Sequence, residues 1–119
     1  METIIDSLVH SVEEICGVCL YDFNSQIVFN RMPETFSRES LVLLAEKMVR
    51  NLNLGKSRYA DIAEISLHFD NVNITAKEIR SDRLLIVMFN PSVNKQKLHM
   101  SLERALESLA ESTVERILK

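Results

Sequence analysis

The sequence predicts an α/β (α+β) sandwich, in which helices cover both faces of one five-stranded antiparallel sheet. Two stretches, 16–23 and 84–89, are apolar at nearly every position, which is typical of strands buried on both faces. Apolar residues also recur at helical spacing near each end and in the middle of the chain. With only two glycines and two prolines among 119 residues, few positions remain for loops, so most of the chain is expected in regular elements.

The chain is expected to begin with a helix and a β-hairpin. Apolar residues follow helical spacing over 3–15. Two strands are predicted over 16–23 and 26–31, because apolar runs there flank a short turn at Asn24-Ser25.

A second helix is predicted from Arg38 to about Leu54. Ser37 is a good N-cap, and Gly55 stands where a left-handed residue often ends a helix. At 100° per residue, Leu43 falls on the polar face, opposite the apolar stripe. The stripe that is expected to be buried consists of Leu41, Leu44, Ala45, Met48 and Leu52.

A second hairpin is predicted after this helix. Residues 59–69 alternate between apolar and polar side chains, and Asp70-Asn71 is a turn signal. The return strand continues the alternation, so Asn73, Thr75 and Lys77 are expected to point outward.

A fifth strand and a long helix complete the prediction. The apolar strand 84–89 follows a turn at Ser81-Asp82 and ends before Pro91, and a helix is expected from about 93 to 118. The order is α-β-β-α-β-β-β-α, with the middle helix on one face of the sheet and the other two on the opposite face. Residues 1–119 are expected to form a single domain.

Charge and hydropathy exclude several classes of protein. The 14 basic and 17 acidic residues give a net charge of −3 without a basic stripe, so no nucleic-acid partner is expected. The longest apolar run, 84–89, is far shorter than the roughly 20 residues of a membrane span. The chain starts without a basic segment followed by an apolar one, and two cysteines suit a reducing environment. We therefore expect a cytoplasmic protein without membrane insertion.

No catalytic, cofactor-binding or metal-binding residues are predicted, and the protein is not expected to be an enzyme. Cys16 and Cys19 form a CxxC, but residues three apart on a strand face opposite sides, so both are expected to be small buried hydrophobes. Gly55-Lys56-Ser57 matches the end of a phosphate-binding loop, but that motif needs a second glycine where Arg50 stands.

His68 is the remaining candidate for chemistry. It is expected on the polar side of its strand, near Glu64, Ser66, Thr75 and Lys77. A solvated sheet face explains this group, and the alternative is a shallow partner-binding groove between flanking helices.

These elements resemble the roadblock family, named for the roadblock dynein light chains and including bacterial regulators of Ras-like GTPases. The resemblance covers nearly the whole chain. It rests on the first helix leading into the strand Cys16-Gly17-Val18-Cys19-Leu20-Tyr21-Asp22, on the central helix, on strand 84–89 and on the closing helix. The family often has Asp-Gly at the first hairpin, where this chain has Asn24-Ser25.

The resemblance implies a homodimer in which the third strand of each subunit pairs with its twin and the two central helices lie side by side. The residues favour this independently, because strand 59–69 has no proline, lysine or bulge glycine to protect an exposed edge. Val42 and Val49, on the flank of the helical stripe, suit a symmetric helix–helix contact. The predicted dimer interface consists of Val42, Val49, Ile62, Ile65 and Leu67.

The resemblance also implies that the protein binds a Ras-like small GTPase and modulates its GTP hydrolysis or its location, without donating a catalytic arginine. Leu43 is the expected anchor, since an apolar residue rimmed by charges suits a protein interface. The predicted partner-binding residues are Arg38, Glu39, Leu43, Glu46, Lys47 and Arg50. Two alternatives stay open: a purely structural adaptor similar to a dynein light chain, and a small-ligand sensor of PAS-like or profilin-like build.

Overall fold

A five-stranded antiparallel sheet forms the middle layer of the molecule. The computed structural model describes residues 2–24, 26–59, 62–80 and 82–118, and side chains in these ranges except those of 2, 26 and 111–118. The strands lie in the order β2-β1-β5-β4-β3, which confirms the predicted fold class and element order. The elements are α1 (Glu2–Ser11), β1 (Ile15–Asp22), β2 (Gln26–Asn30), α2 (Arg38–Arg58), β3 (Glu64–His68), β4 (Asn73–Ile79), β5 (Arg83–Phe89) and α3 (Lys95–Leu118).

The sheet separates two apolar cores, because β1 and β5 are buried on both faces. Val18 and Leu85 belong to the core beneath α1 and α3, whereas Cys19 and Ile86 belong to the core beneath α2. Each strand therefore contributes alternate residues to the two cores, as a period of two requires. The radius of gyration is 13.7 Å.

Helix α2 begins as predicted and ends later than predicted. The Ser40 amide donates a hydrogen bond of 3.1 Å to Oγ of Ser37, which caps the helix. The predicted left-handed cap at Gly55 is wrong: the helix continues to Arg58, and Gly55 lies inside it without a positive φ. A Cβ at Gly55 would lie 3.1 Å from Cδ1 of Ile62, so this glycine allows a close approach of the following loop. In the predicted stripe, Leu41, Ala45, Met48 and Leu52 are buried and Leu44 is half-buried.

Two further boundaries differ from the sequence prediction. α1 ends at Ser11 rather than at 15, because Ile15 pairs with Phe89 as the first residue of β1. β3 covers Glu64–His68 rather than 59–69. The predicted turn residues Ser25 and Ser81 lie outside the described residues.

The polar residues of β4 correct the prediction that they point into solvent. Asn73, Thr75 and Lys77 have only 8%, 5% and 6% of their surface exposed, because α3 packs over this side of the sheet. The alternation of polar and apolar residues in β4 therefore distinguishes two covered faces rather than a buried face and a free one.

Gly17 in β1 is predicted to be required for packing. A Cβ there would lie 2.8 Å from Sδ of Met32 and 3.0 Å from Cδ of Pro33, which is a rigid ring atom. Gly17→Ala is therefore expected to lower the free energy of unfolding by about 1–3 kcal/mol, the usual cost of overpacking. Urea denaturation measures the change.

Gly55→Ala is the matched control for this prediction. Replacing a glycine inside a helix gains up to about 1 kcal/mol, and the contacting atom of Ile62 is the mobile end of its side chain. Its stability is therefore expected to equal or exceed that of the wild type. A Gly17→Ala protein as stable as the Gly55→Ala protein would contradict this account of Gly17.

Candidate functional site

The outer face of α2 carries two exposed leucines. Leu43 is 66% exposed and Leu54 is 61% exposed. They lie nearly in line, about three turns and roughly 16 Å apart along the helix axis. Both point away from the core that α2 covers, so they form an apolar line on an otherwise polar helix face.

Charged side chains flank this line. The structure places Glu39, Glu46, Lys47 and Arg50 on the same outer side of α2 as Leu43, and all of them are exposed. Arg38 is also exposed, but it is the first residue of the helix and lies roughly 140° around the axis from Leu43. Five of the six predicted partner-binding residues therefore share one surface, which Arg38 does not join. We call Glu39, Leu43, Glu46, Lys47, Arg50 and Leu54 the α2 platform.

Leu54 belongs to this surface but is missing from the sequence prediction. The predicted helix ends at about Leu54, so no direction is predicted for this side chain. The signal that could have found it is its helical spacing from Leu43 and Arg50.

The five predicted dimer residues are half-buried apolar side chains on α2 and at or before β3. Ile65 and Leu67 of β3 pack partly against the α2 core, and Ile62 packs beside Gly55. Val42 and Val49 are half-buried on one flank of α2. All five are apolar and incompletely covered within one chain, and we call Val42, Val49, Ile62, Ile65 and Leu67 the edge strip.

The position of Lys56 shows which way this flank of α2 faces. Lys56 follows Val49 by seven residues, so the two side chains lie on the same flank of the helix. Its ammonium pairs with the carboxylate of Glu78 on β4, the strand beside β3. The valine flank of α2 therefore faces the half of the sheet that ends in β3.

The open edge of β3 presents backbone groups from alternate residues. Glu78 donates from its amide to the Ala63 carbonyl, and Phe69 donates to the Val72 carbonyl, each over 2.9 Å. Because hydrogen-bonded and non-hydrogen-bonded pairs alternate in an antiparallel ladder, the N–H and C=O groups of Ile65 and Leu67 also face β4. The N–H and C=O groups of Glu64, Ser66 and His68 face the other way, toward the open edge.

The other face of β3 lines a polar groove beneath α3. His68 lies in this groove with His99 and Lys95 of α3, and the groove has a volume of about 210 Å³. Ser66 and Thr75 share a hydrogen bond of 2.9 Å between their hydroxyls. The sheet face around His68 is thus bounded by α3, while His68 itself is exposed.

A buried ammonium connects this groove to α3. Nζ of Lys77 donates to Oε1 of Glu103 over 2.8 Å and lies 3.7 Å from Oε2 of Glu64. The hydrogen bond from Lys77 lowers the pKa of the Glu103 carboxyl below its ordinary value of 4.5. The Lys77–Glu103 pair therefore ties β4 to the third turn of α3.

The two cysteines of β1 lie in different surroundings, one buried and one exposed. Cys19 is fully buried, and burial raises the pKa of its thiol to about 11. Cys16 is exposed, so the prediction that both are buried is wrong for Cys16, which lies at an irregularity in the β1–β5 pairing.

In the described parts of the chain, no three histidine, cysteine or acidic side chains are grouped so as to hold a metal ion. No helix within the same ranges is both apolar and long enough to cross a bilayer.

Known structures identify the fold. No family model matches this sequence, and no curated protein matches it. MglB from Myxococcus xanthus is similar with a TM-score of 0.84 and 15% identity, over 95% of this chain and 94% of that protein. A roadblock/LC7 domain from Streptomyces avermitilis is similar with a TM-score of 0.79 and 15% identity, over 96% of this chain and 98% of that domain. The chain has the roadblock/LC7 fold.

A third solved structure carries information about assembly. MglB with a tetrameric arrangement matches with a TM-score of 0.74 and 16% identity, over 92% of this chain and 85% of that protein. At identities this low the shared feature is the backbone. The side chains on the α2 platform and the edge strip must therefore be judged by their own geometry on the roadblock/LC7 fold.

The Lys77–Glu103 pair predicts a pH-dependent contribution to stability. Because the pKa of Glu103 is lowered in the folded state, its contribution is present above the ordinary value of 4.5 and is lost as the pH falls through the lowered value. Glu103→Gln is expected to lower the free energy of unfolding at pH 6.5 by up to about 1 kcal/mol, since the half-exposed carboxylate is screened by solvent.

Denaturation of Glu103→Gln and of the wild type at a series of pH values measures this contribution. The difference between them is expected to shrink as the pH falls below 4.5. Glu107→Gln, which changes an exposed carboxylate one turn further along α3, is the control and should show no such trend. A Glu103→Gln effect that is constant with pH would contradict the role given to the pair.

Proposed function

We propose that this protein is a homodimeric regulatory or adaptor protein that binds a Ras-like small GTPase and modulates its GTP hydrolysis or its location. The observation that carries the proposal is the α2 platform, where Leu43 and Leu54 stand exposed among charged side chains. A desolvated apolar anchor with a polar rim is the usual composition of a specific protein interface. The resemblance to the roadblock family supplies the class of partner.

The edge strip supports the homodimer. Pairing of β3 with its twin would remove an unprotected sheet edge and continue the sheet from one subunit into the other. It would also bring the valine flanks of the two α2 helices together, since these flanks face the β3 half of the sheet. The tetrameric arrangement of MglB supports self-association as a property that this fold can have.

The dimer would present two α2 platforms side by side on one surface. Such a surface can hold the mobile loops of a bound GTPase in one arrangement. Phosphoryl transfer depends largely on positioning and electrostatic stabilisation, so ordering the partner's own catalytic groups is enough to change its rate of hydrolysis. This mechanism requires no catalytic side chain from the regulatory protein itself.

A structural adaptor is the second candidate, because the same platform can bind a GTPase without changing its chemistry. A GTP-hydrolysis assay separates the two roles. The Ras-like GTPase encoded nearest to this chain is assayed alone and with the purified dimer. Faster hydrolysis identifies a regulator of catalysis, whereas binding without acceleration identifies an adaptor.

Leu43→Glu is predicted to abolish GTPase binding while the dimer stays intact. A carboxylate at this position would be desolvated in the complex without a partner, although it is harmless on the free surface. Loss of binding by at least about tenfold is expected for a central anchor residue. Titration calorimetry measures the affinity, and light scattering checks the mass against the 13.7 kDa of one chain.

Met100→Glu is the matched control, because Met100 is 56% exposed but lies on α3. It should bind the GTPase as the wild type does, and Leu54→Glu should weaken binding as Leu43→Glu does. Unchanged binding by Leu43→Glu would contradict the assignment of the platform. A wild-type protein that stays at 13.7 kDa at micromolar concentration would contradict the homodimer.

A further inference from the structure

We infer that two copies of β3 pair in a single register centred on Ser66, with His68 of each subunit opposite Glu64 of the other, and that this pairing tightens the dimer at mildly acidic pH. The inference rests on the proposed homodimer and deepens it. It specifies which residues meet and what charge they carry.

The backbone of the open edge selects this register. The outward groups belong to Glu64, Ser66 and His68, as the β3–β4 pairing requires. Two antiparallel copies related by a two-fold axis place residue i opposite residue j and j opposite i. When the axis passes through Ser66, all three outward residues are paired, and each pair exchanges both of its N–H···O bonds. An axis at residue 65 or 67 would leave part of the strand unpaired.

The polar face of the joined sheet is self-complementary in this register. Within one chain, Glu64 lies beside Lys77, Ser66 beside Thr75 and His68 beside Asn73. Across the interface, the central row of side chains runs Thr75, Ser66, then Ser66 and Thr75 of the second copy. Each outer row becomes Asn73 and His68 of one copy followed by Glu64 and Lys77 of the other. Opposite charges therefore alternate along these rows when the imidazole is protonated.

The apolar face is complementary as well. The same axis places Ile65 opposite the second copy's Leu67, on the side of the sheet that α2 covers. These residues form the closer type of antiparallel pair, in which side chains are in direct contact. Pairing would therefore complete the burial of two side chains that one chain leaves half-covered.

The direction of the pH effect is set by the one charged group that lies beside His68 in the dimer but not in the monomer. Within one chain its groove contains Lys95 and His99 of α3, Lys77 of β4 and Glu64 of β3, with Glu103 of α3 bound to Lys77. These groups face His68 in the monomer and in the dimer alike. Their electrostatic interactions with His68 therefore contribute little to the difference in free energy between the two states. Glu64 of the second copy is added only in the dimer, about 5 Å away across the strands. Its Lys77 lies one strand further, at roughly twice that distance.

Disulfide trapping tests the register. In a Cys16→Ser background, which removes the exposed native thiol, single cysteines are introduced by Glu64→Cys, Ile65→Cys, Ser66→Cys and Leu67→Cys. Ser66→Cys is expected to form a covalent dimer faster than the other three variants under mild oxidation. Its two copies lie directly opposite each other, with Cα atoms about 5.5 Å apart, whereas each of the other residues lies opposite a different residue. Glu64→Cys alone should not form one, but mixed with His68→Cys it should form the mixed dimer.

The outcomes separate this inference from the proposed function. A wild-type dimer that cross-links best through Ile65→Cys or Leu67→Cys overturns the register and leaves the homodimer standing. A dimer that cross-links at none of the tested positions overturns β3 pairing. A wild-type monomer overturns the homodimer on which the proposed function depends.

The dimer dissociation constant at pH 5.5 and at pH 8.0 tests the charge pair. Imidazole gains its charge across this interval, so two symmetric cross-strand pairs are expected to tighten the dimer by about 2- to 30-fold at pH 5.5. His68→Gln should lose this dependence, and His99→Gln, which changes the other histidine of the groove, should retain it. A dependence that persists in His68→Gln, or its absence from the wild type, overturns the charge pairing.

Discussion

The burial of β1 and β5 on both faces is the constraint on which the rest of the structure depends. Residues such as Val18 and Cys19 are completely covered although they point to opposite sides of the sheet. Helices must therefore lie on both faces. β2 forms one edge of the sheet, and β4 and β3 extend it beyond β5 to the other edge. Along β3 and the adjoining flank of α2, the apolar side chains of Val42, Val49, Ile65 and Leu67 are only half-buried. The self-pairing that we propose at this edge and the exposure of the α2 platform both follow from the same layered arrangement.

The sequence was sufficient to predict this layering, because each layer has a local signal. Continuous apolar runs identify β1 and β5, and helical spacing identifies the buried side of α2. The environment of β4 could not be predicted in the same way. Alternating Thr75, Ala76 and Lys77 is what a strand with one solvated face would show. Only the docking of α3, with Glu103 reaching Lys77 from 26 residues away, reveals that both faces are covered.

The candidate site could be predicted where it depends on local helical spacing, but not where it depends on tertiary contacts. Leu43 could be placed on the outer face of α2 from helical spacing alone, and the structure leaves it 66% exposed. Leu54 was not found, because glycine usually ends a helix and the approach of Ile62 to Gly55 is a tertiary contact. Which backbone groups of β3 face the open edge could not be predicted from the sequence either. This depends on which residues bond to β4, and a shift by one residue would turn every backbone group to the opposite side.

Amide hydrogen exchange along β3, measured by NMR on the purified protein, tests the central claim most directly. Within one chain, the amides of Ile65 and Leu67 face β4 and those of Glu64, Ser66 and His68 face the open edge. If β3 pairs with its twin, all five amides are expected to exchange slowly and at comparable rates, because each donates to a strand on one side or the other. An alternating pattern, with Glu64, Ser66 and His68 exchanging as fast as exposed amides, would contradict the claim that this edge forms the dimer.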